Sequence, residues 1–323
     1  MSKTSSPEQG EFRTSIGGQA LLEGILMRGP EKQAIIVRRP DGGLEEKVEE
    51  LHLIKERYPI LGVPFIRGVV NFLDSMVKGV QALMYSAEFY PEEEEEQPTK
   101  LEQWIERKFG SEALSKFVVY FAVVLAVCFS VGLFFLLPTV LTNLLGKLVP
   151  MNKLAVSLIE GVVRIAVFLL YLVLCSRMEE MKRVFAYHGA EHKTIFCYER
   201  GLELTVENVR KMPRHHPRCG TSFLFVVVAL AILVHAVMFT FITPPNVLVR
   251  ILLQLLSLPI IVGISYEFNR FAGRHDNALT RFLVAPGLWM QNFTTNEPDD
   301  SMIEVGIASL KAVLPEQKGQ DAW

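Results

Sequence analysis

The 323-residue chain lacks a dominant charge: 33 Lys and Arg stand against 35 Asp and Glu, a formal net charge of −2. Nucleic-acid binders present a strongly basic face, so that class of partner is set aside. Cysteine is scarce. Cys128 and Cys175 fall inside or at the end of apolar runs, and Cys197 and Cys219 fall in a polar loop between runs, which is no disulfide framework. The N-terminal MSKTSSPEQGEFRTS lacks the apolar core of a signal peptide, which predicts a first polar segment made and retained in the cytosol. Internal repeats are not evident. GGQALLEGILMRGP (Gly17 to Pro30) matches neither the Walker pattern nor the dinucleotide fingerprint. Its glycines read as sites of close backbone packing within the N-terminal domain or against the membrane helices.

What the chain has is long apolar runs. Half of its residues are hydrophobic, 21 of them Phe, and the mean hydropathy is +0.27. A helix needs about 20 apolar residues to cross the hydrocarbon core. Four stretches qualify: about Phe117 to Leu137, Leu154 to Leu174, Thr221 to Ile242 and Val247 to Phe268. Glu160 and Arg164 lie four apart in the second, with the acid first, and can pair. His235 lies near the middle of the third; it is either a relay or pathway residue or a neutral ring bonded to a neighbouring helix. Pro259 sits inside the fourth, where neighbouring helices can satisfy the freed carbonyl.

Orientation follows from the basic residues of the short connections. The loop Ser176 to Gly220 holds nine Lys and Arg, against Lys147 and Lys153 after the first span and none in Thr243 to Asn246. The basic loop and both termini are therefore expected on the cytoplasmic side of the membrane. The predicted fold is a mainly α-helical polytopic membrane protein with interfacial helices and a small cytoplasmic domain. Its domain layout is a cytoplasmic N-terminal domain at 1–90, an acidic linker at 91–110, two spans at 111–175, a His/Cys loop at 176–220, two further spans at 221–270 and a cytoplasmic or interfacial segment at 271–323.

Within the first domain, Gln33 to Arg38 and Leu44 to Leu51 flank Pro40, Asp41, Gly42 and Gly43, a hairpin signal. Val63 to Tyr90 has apolar residues at helical spacing interrupted by Arg67, Asp74 and Lys78, which predicts an amphipathic helix at the membrane surface. Pro91 to Lys100 reads as a solvated acidic linker. Leu279 to Trp289 reads as interfacial, and Ser301 to Leu314 as a short helix packed on the N-terminal domain.

His188-Gly189-Ala190-Glu191-His192 is an H-x-x-E-H arrangement. On a helix the two histidines share a face and can reach one ion, with Glu191 beside it as a candidate base. His216 and Cys219 close the same loop where the third span begins, and the donor set His188, His192, His216 and Cys219 suits Zn2+ or another divalent transition metal. Four ligands make a closed structural site; three with an open position make a catalytic one. In the non-metal alternative, the interfacial side chains face headgroups or cap helices and Cys219 is a small buried thiol. Cys197 is spaced away from His192 and is left out.

Five strings carry a resemblance: GGQALLEGILMRGP, PFIRGVVNFLDSMVKGVQALMYSA (Pro64 to Ala87), YHGAEHKTI (Tyr187 to Ile195), HPRCGTSFLF (His216 to Phe225) and PGLWMQNFTTNEPDD (Pro286 to Asp300). Together the chain resembles the YqhQ-like family of bacterial membrane proteins, of unknown function and described as predicted metal-dependent enzymes. The resemblance implies His188, Glu191, His192, His216 and Cys219 as motif positions and leaves His215 outside. The sequence thus points to a metal-dependent hydrolase at the cytoplasmic interface with Glu191 as base. The rival is a non-enzymatic factor that docks a protein partner, such as the insertion machinery, and uses any metal as a staple. The Glu160, Arg164 and His235 set is too sparse to suggest a transporter.

Overall fold

The computed structural model describes residues 12–51, 58–90, 111–275, 277–317 and 319–322. The acidic linker and the first eleven residues lie outside the described set. Contacts divide the chain into two compact units, one of Met1–Tyr90, Leu172–Leu230 and Pro259–Trp323, the other of Pro91–Tyr171 and Ala231–Leu258.

The first unit is built on a four-stranded antiparallel sheet, β1 (Gly17–Leu21), β2 (Gly24–Arg28), β3 (Lys32–Arg38) and β4 (Leu44–Glu50), in sequential order. The expected hairpin is β3 and β4, turning through Gly42 at φ 86°. A second hairpin, β1–β2, precedes it. Its two-residue turn is Leu22-Glu23, with Glu23 at φ 49°, a conformation that turn statistics assign to Gly or Asn. Tertiary bonds hold it: Tyr187 and Arg183 donate to the Glu23 carboxylate, and its carbonyl accepts from the Arg38 amide at 2.7 Å.

The two central strands, β2 and β3, are buried on both faces, so they read as continuous apolar runs rather than alternating ones. One face carries Ile25, Met27, Ala34 and Ile36, packed on α4 (Glu179–Glu199) and α9 (Asp300–Val313) through Tyr187, Ala190, Val305 and Leu310. The other carries Leu21, Leu26, Ile35 and Val37, packed on Ala82 of α1 (Ile66–Ala87). The edge strand β4, LEEKVEE, is charged and largely exposed, which discourages edge-to-edge pairing. Helix α9 starts at Asp299, whose carboxylate accepts from the Met302 amide at 3.0 Å, and packs on β2, β3 and α4, as its spacing predicts. Helix α1 turns its small residues, Gly68, Gly79, Ala82 and Ser86, inward, leaving Leu73, Met76, Val77 and Val80 exposed.

Among the described residues four helices are long and apolar enough to cross a membrane, which puts the chain in contact with a lipid bilayer. They are α2 (Ser111–Val131, continuing through a π-helical turn at Gly132–Leu136 into Leu137–Leu148), α3 (Lys153–Cys175), α6 (Gly220–Phe241) and α7 (Val247–Arg274). The first runs on past the expected Leu137 because the lattice of bonds adjusts around Pro138. Proline has no N–H for the Phe134 carbonyl; Arg164 Nε donates to that carbonyl instead, at 2.8 Å. The Glu160–Arg164 pair forms at 3.1 Å. Arg250, at the start of α7, donates to the same carboxylate at 2.6 Å, and Thr139 and Gln254 complete its shell. His235 Nδ1 lies 3.3 Å from Arg164 and its Nε2 2.9 Å from Ser257 Oγ. Since Arg164 can only donate, Nδ1 accepts and Nε2–H donates, a neutral ring bonded across helices.

Candidate metal centre

Helix α4 carries Tyr187, His188, Glu191 and His192 into the first unit because its buried side is lined with small residues. A Cβ on Gly189 would stand 2.0 Å from the Asn296 carbonyl, so only glycine lets the chain after α8 (Ala278–Thr294) cross so close. The second motif arrives through the connection between α5 (Val206–Arg210) and α6. Gln291 of α8 pins that connection at two points: its Oε1 accepts from the His216 amide at 2.7 Å and its Nε2 donates to the His216 carbonyl at 2.8 Å.

His188, His192 and Cys219 come together with their potential ligand atoms all within 4.8 Å of one another. The His188 ring donates Nδ1–H to the Thr294 carbonyl at 2.7 Å, and the His192 ring donates Nδ1–H to the Arg214 carbonyl at 2.5 Å. Such outer bonds set the tautomer and the ring orientation of metal-binding histidines. In the neutral rings each Nε2 thereby carries the lone pair that can bind an ion, and that of His188 lies 3.2 Å from Cys219 Sγ. Tetrahedral zinc bonds of about 2.05 Å to N and 2.3 Å to S place N and S roughly 3.5 Å apart, so the group is close to coordination geometry. The thiol also accepts from the Thr221 amide at 3.4 Å, at the start of α6.

Burial opposes charge on Cys219, yet His188 and His192 hold its pKa well below the ordinary thiol value. Burial likewise works against the His188 cation, but the Cys219 thiolate beside it raises its pKa to about 9. A thiolate and two imidazoles form a donor set suited to a borderline-soft divalent cation.

Glu191 is buried beside the three donors, and that burial pushes its carboxyl pKa upward against the pull of His188 and His192. Its Oε1 accepts from the Gly18 amide of β1 at 2.8 Å. A Cβ on Gly18 would stand 2.4 Å from the Leu26 carbonyl and 3.2 Å from the Glu191 carboxyl carbon. The site opens into a cavity of about 740 Å³ whose lining includes Gly18, Asn71, Asp74, Glu191, Cys219 and Tyr266.

His216 is not in the three-donor group. Its ring lies 5.6 Å from that of His192 and edge-on to Phe196 at 4.5 Å, and its nitrogens face elsewhere. Nδ1 accepts from the Arg218 amide at 3.4 Å, and Nε2 lies 3.5 Å from Glu199, which is itself ion-paired with Arg218. Spacing along the loop could not distinguish a histidine facing Glu199 from one facing His188. Gly18, Gln291 and Thr294 escaped the sequence reading as participants. Their strings stood among those carrying the resemblance, but Gly18 and Thr294 act through backbone groups, which leave no side-chain signature, and Gln291 bonds to a backbone segment that only packing brings to it.

The family model described as "Protein of unknown function (DUF1385)" matches residues 63–316. "Uncharacterized protein YqhQ" of Bacillus subtilis (strain 168) is 33% identical over 307 residues, covering 92% of this chain and 92% of that protein. No solved structure matches. The matched range takes in all three clustered donors, Glu191, and the Gln291 and Thr294 that hold them, and on that coverage and identity the chain belongs to the YqhQ-like DUF1385 family.

Proposed function

We propose that this protein is a metal-dependent hydrolase of the bacterial cell membrane, with both termini and the His188, His192 and Cys219 centre on the cytoplasmic side. The observation that carries the reading is the anchoring of both imidazoles through Nδ1 to backbone carbonyls, which leaves both Nε2 atoms beside the Cys219 thiol. The orientation rests on the nine basic residues of the Ser176 to Gly220 loop.

His188, His192 and Cys219 would hold the ion, and three protein donors are the number found in catalytic rather than structural zinc sites. A Zn2+ ion held there would supply Lewis acidity for hydrolysis of a carbonyl or phosphoryl group. Glu191 acts as general base: Oε1 is held by the Gly18 amide, so Oε2 accepts the proton of the attacking water and returns it to the leaving group. Thr294, Arg214 and Gln291 act by orientation alone.

Metal analysis of the purified full chain tests the first step. One zinc per chain, lost in a His188→Ala/His192→Ala variant, is expected; a metal-free wild type rules the centre out. Glu191→Gln tests the second. Retained zinc with lost cellular function supports catalysis, whereas full function with zinc retained turns the metal into a staple in a scaffold.

A further inference from the structure

A second recess of about 560 Å³ adjoins the metal cavity and shares Ser15, Val70, Asn71 and Tyr266 with it. Its wall is basic. Arg67 of α1 and Arg270 and Arg274 of α7 line it, with Asn269 alongside. Arg67 is neutralised by a two-point ion pair to Glu267, at 2.7 and 2.5 Å. Among the described residues no carboxylate lies within ion-pair distance of Arg270 or Arg274, so the wall keeps positive charge beyond the Arg67–Glu267 pair, with Glu267 acting on Arg270 only from further away. Arg270 and Arg274 stand four apart and so share one helix face. Asn71 Nδ2 donates to the Tyr266 hydroxyl at 2.8 Å, which leaves that hydroxyl hydrogen free to be donated into the recess.

These charges sit in the last two turns of a helix apolar enough to span a membrane, and the ends of a spanning helix meet the headgroup region. Helix α1, which supplies Arg67 and Asn71, exposes Leu73, Met76, Val77 and Val80, an apolar surface suited to acyl chains. Paired guanidinium groups recognise phosphate through fork-like hydrogen bonds, and basic pockets beside spanning helices hold anionic headgroups.

We infer that this recess binds the phosphate of an anionic membrane lipid and so presents the bonds next to that phosphate to Glu191 and the metal centre. The binding step stands by itself. The assignment of such lipids as the substrate class rests on the hydrolase reading.

The test uses the full chain in detergent, titrated calorimetrically with dihexanoyl phosphatidylglycerol below its micelle concentration. Binding at least tenfold tighter than for dihexanoyl phosphatidylcholine is expected, with a further tenfold loss in Arg270→Gln/Arg274→Gln and in the single variant of the exposed Arg274. Lys182→Gln/Lys211→Gln, which removes the same charge from exposed positions, should leave affinity unchanged. Competition by millimolar inorganic phosphate or glycerol 3-phosphate as effective as that by the lipid overturns the lipid assignment, as does equal binding of both lipids. Zinc is measured on the same samples. Unchanged lipid affinity in the arginine variants with zinc retained overturns the recess alone, while retained lipid binding in a metal-free wild type overturns the metal reading alone.

Discussion

The Gly18 amide of the first strand donates to the Glu191 carboxylate across 173 positions of sequence, at 2.8 Å. This one bond joins the glycine-rich N-terminal string to the H-x-x-E-H helix and fixes the carboxylate that faces the cavity. Gly18→Ala places a methyl 2.4 Å from the Leu26 carbonyl, so β1 must shift. A loss of about 1–3 kcal/mol is expected from overpacking, read as a lower thermal midpoint of the full chain in detergent. An unchanged midpoint would mean that β1 has slack there.

Metal content separates the four histidine and cysteine candidates. Cys219→Ser and His192→Ala should each lower zinc affinity by a hundredfold or more, whereas His216→Phe should keep one zinc per chain, because its ring nitrogens face Glu199 and Arg218. Loss of zinc in His216→Phe, with the fold intact by melting, would return His216 to the ligand set.

Gln291→Leu removes both bonds to His216 and leaves a buried amide and a buried carbonyl unpaired. Each such group costs about 1–3 kcal/mol. The variant should melt lower and also bind zinc more weakly, since the strap that delivers Cys219 loses its anchor. Melting and zinc titration on the same preparation check both halves; a drop in stability alone would detach the strap from the metal site.

Acid should destabilise the first unit through His216. Its burial, with His192 and Arg218 nearby, outweighs the Glu199 hydrogen bond and depresses its pKa from 6.5 to about 4. The unfolded chain therefore takes up a proton near pH 6.5 that the folded chain refuses until about 4, so stability is full above that window and falls as pH drops through it. Between pH 7.5 and 5 the loss is about 2 kcal/mol. Glu199 is also buried, but His216 and Arg218 hold its pKa below the ordinary value, so its own contribution is lost at lower pH still. In His216→Phe the midpoint should change less between pH 7.5 and 5 than in the parent; identical slopes would assign the acid sensitivity to another group.

Local physics made several features legible. The spans needed only uncharged length, the β3–β4 hairpin only its Pro-Asp-Gly-Gly turn, and α9 only its helical spacing. The shared face of His188 and His192 followed from the period of the α-helix. Features whose cause lies far away in sequence were not legible. The β1–β2 hairpin was missed because its turn is Leu22-Glu23, held left-handed by Arg183, Tyr187 and Arg38 rather than by a residue that prefers that conformation. The passage of α2 through Pro138 depends on Arg164 from another helix taking up the Phe134 carbonyl.

Sequence alone determined that four stretches are long and apolar enough to cross a bilayer and that two imidazoles and a carboxylate share one stretch of helix. Those properties depend on hydropathy and on 3.6-residue periodicity, both local. Tertiary structure decided that Cys219 meets His188 while His216 turns to Glu199, and that Glu191 is held by Gly18. A ring turns toward whichever partner satisfies its nitrogens, and the Thr294 and Arg214 carbonyls that do so are placed by packing rather than by residue type.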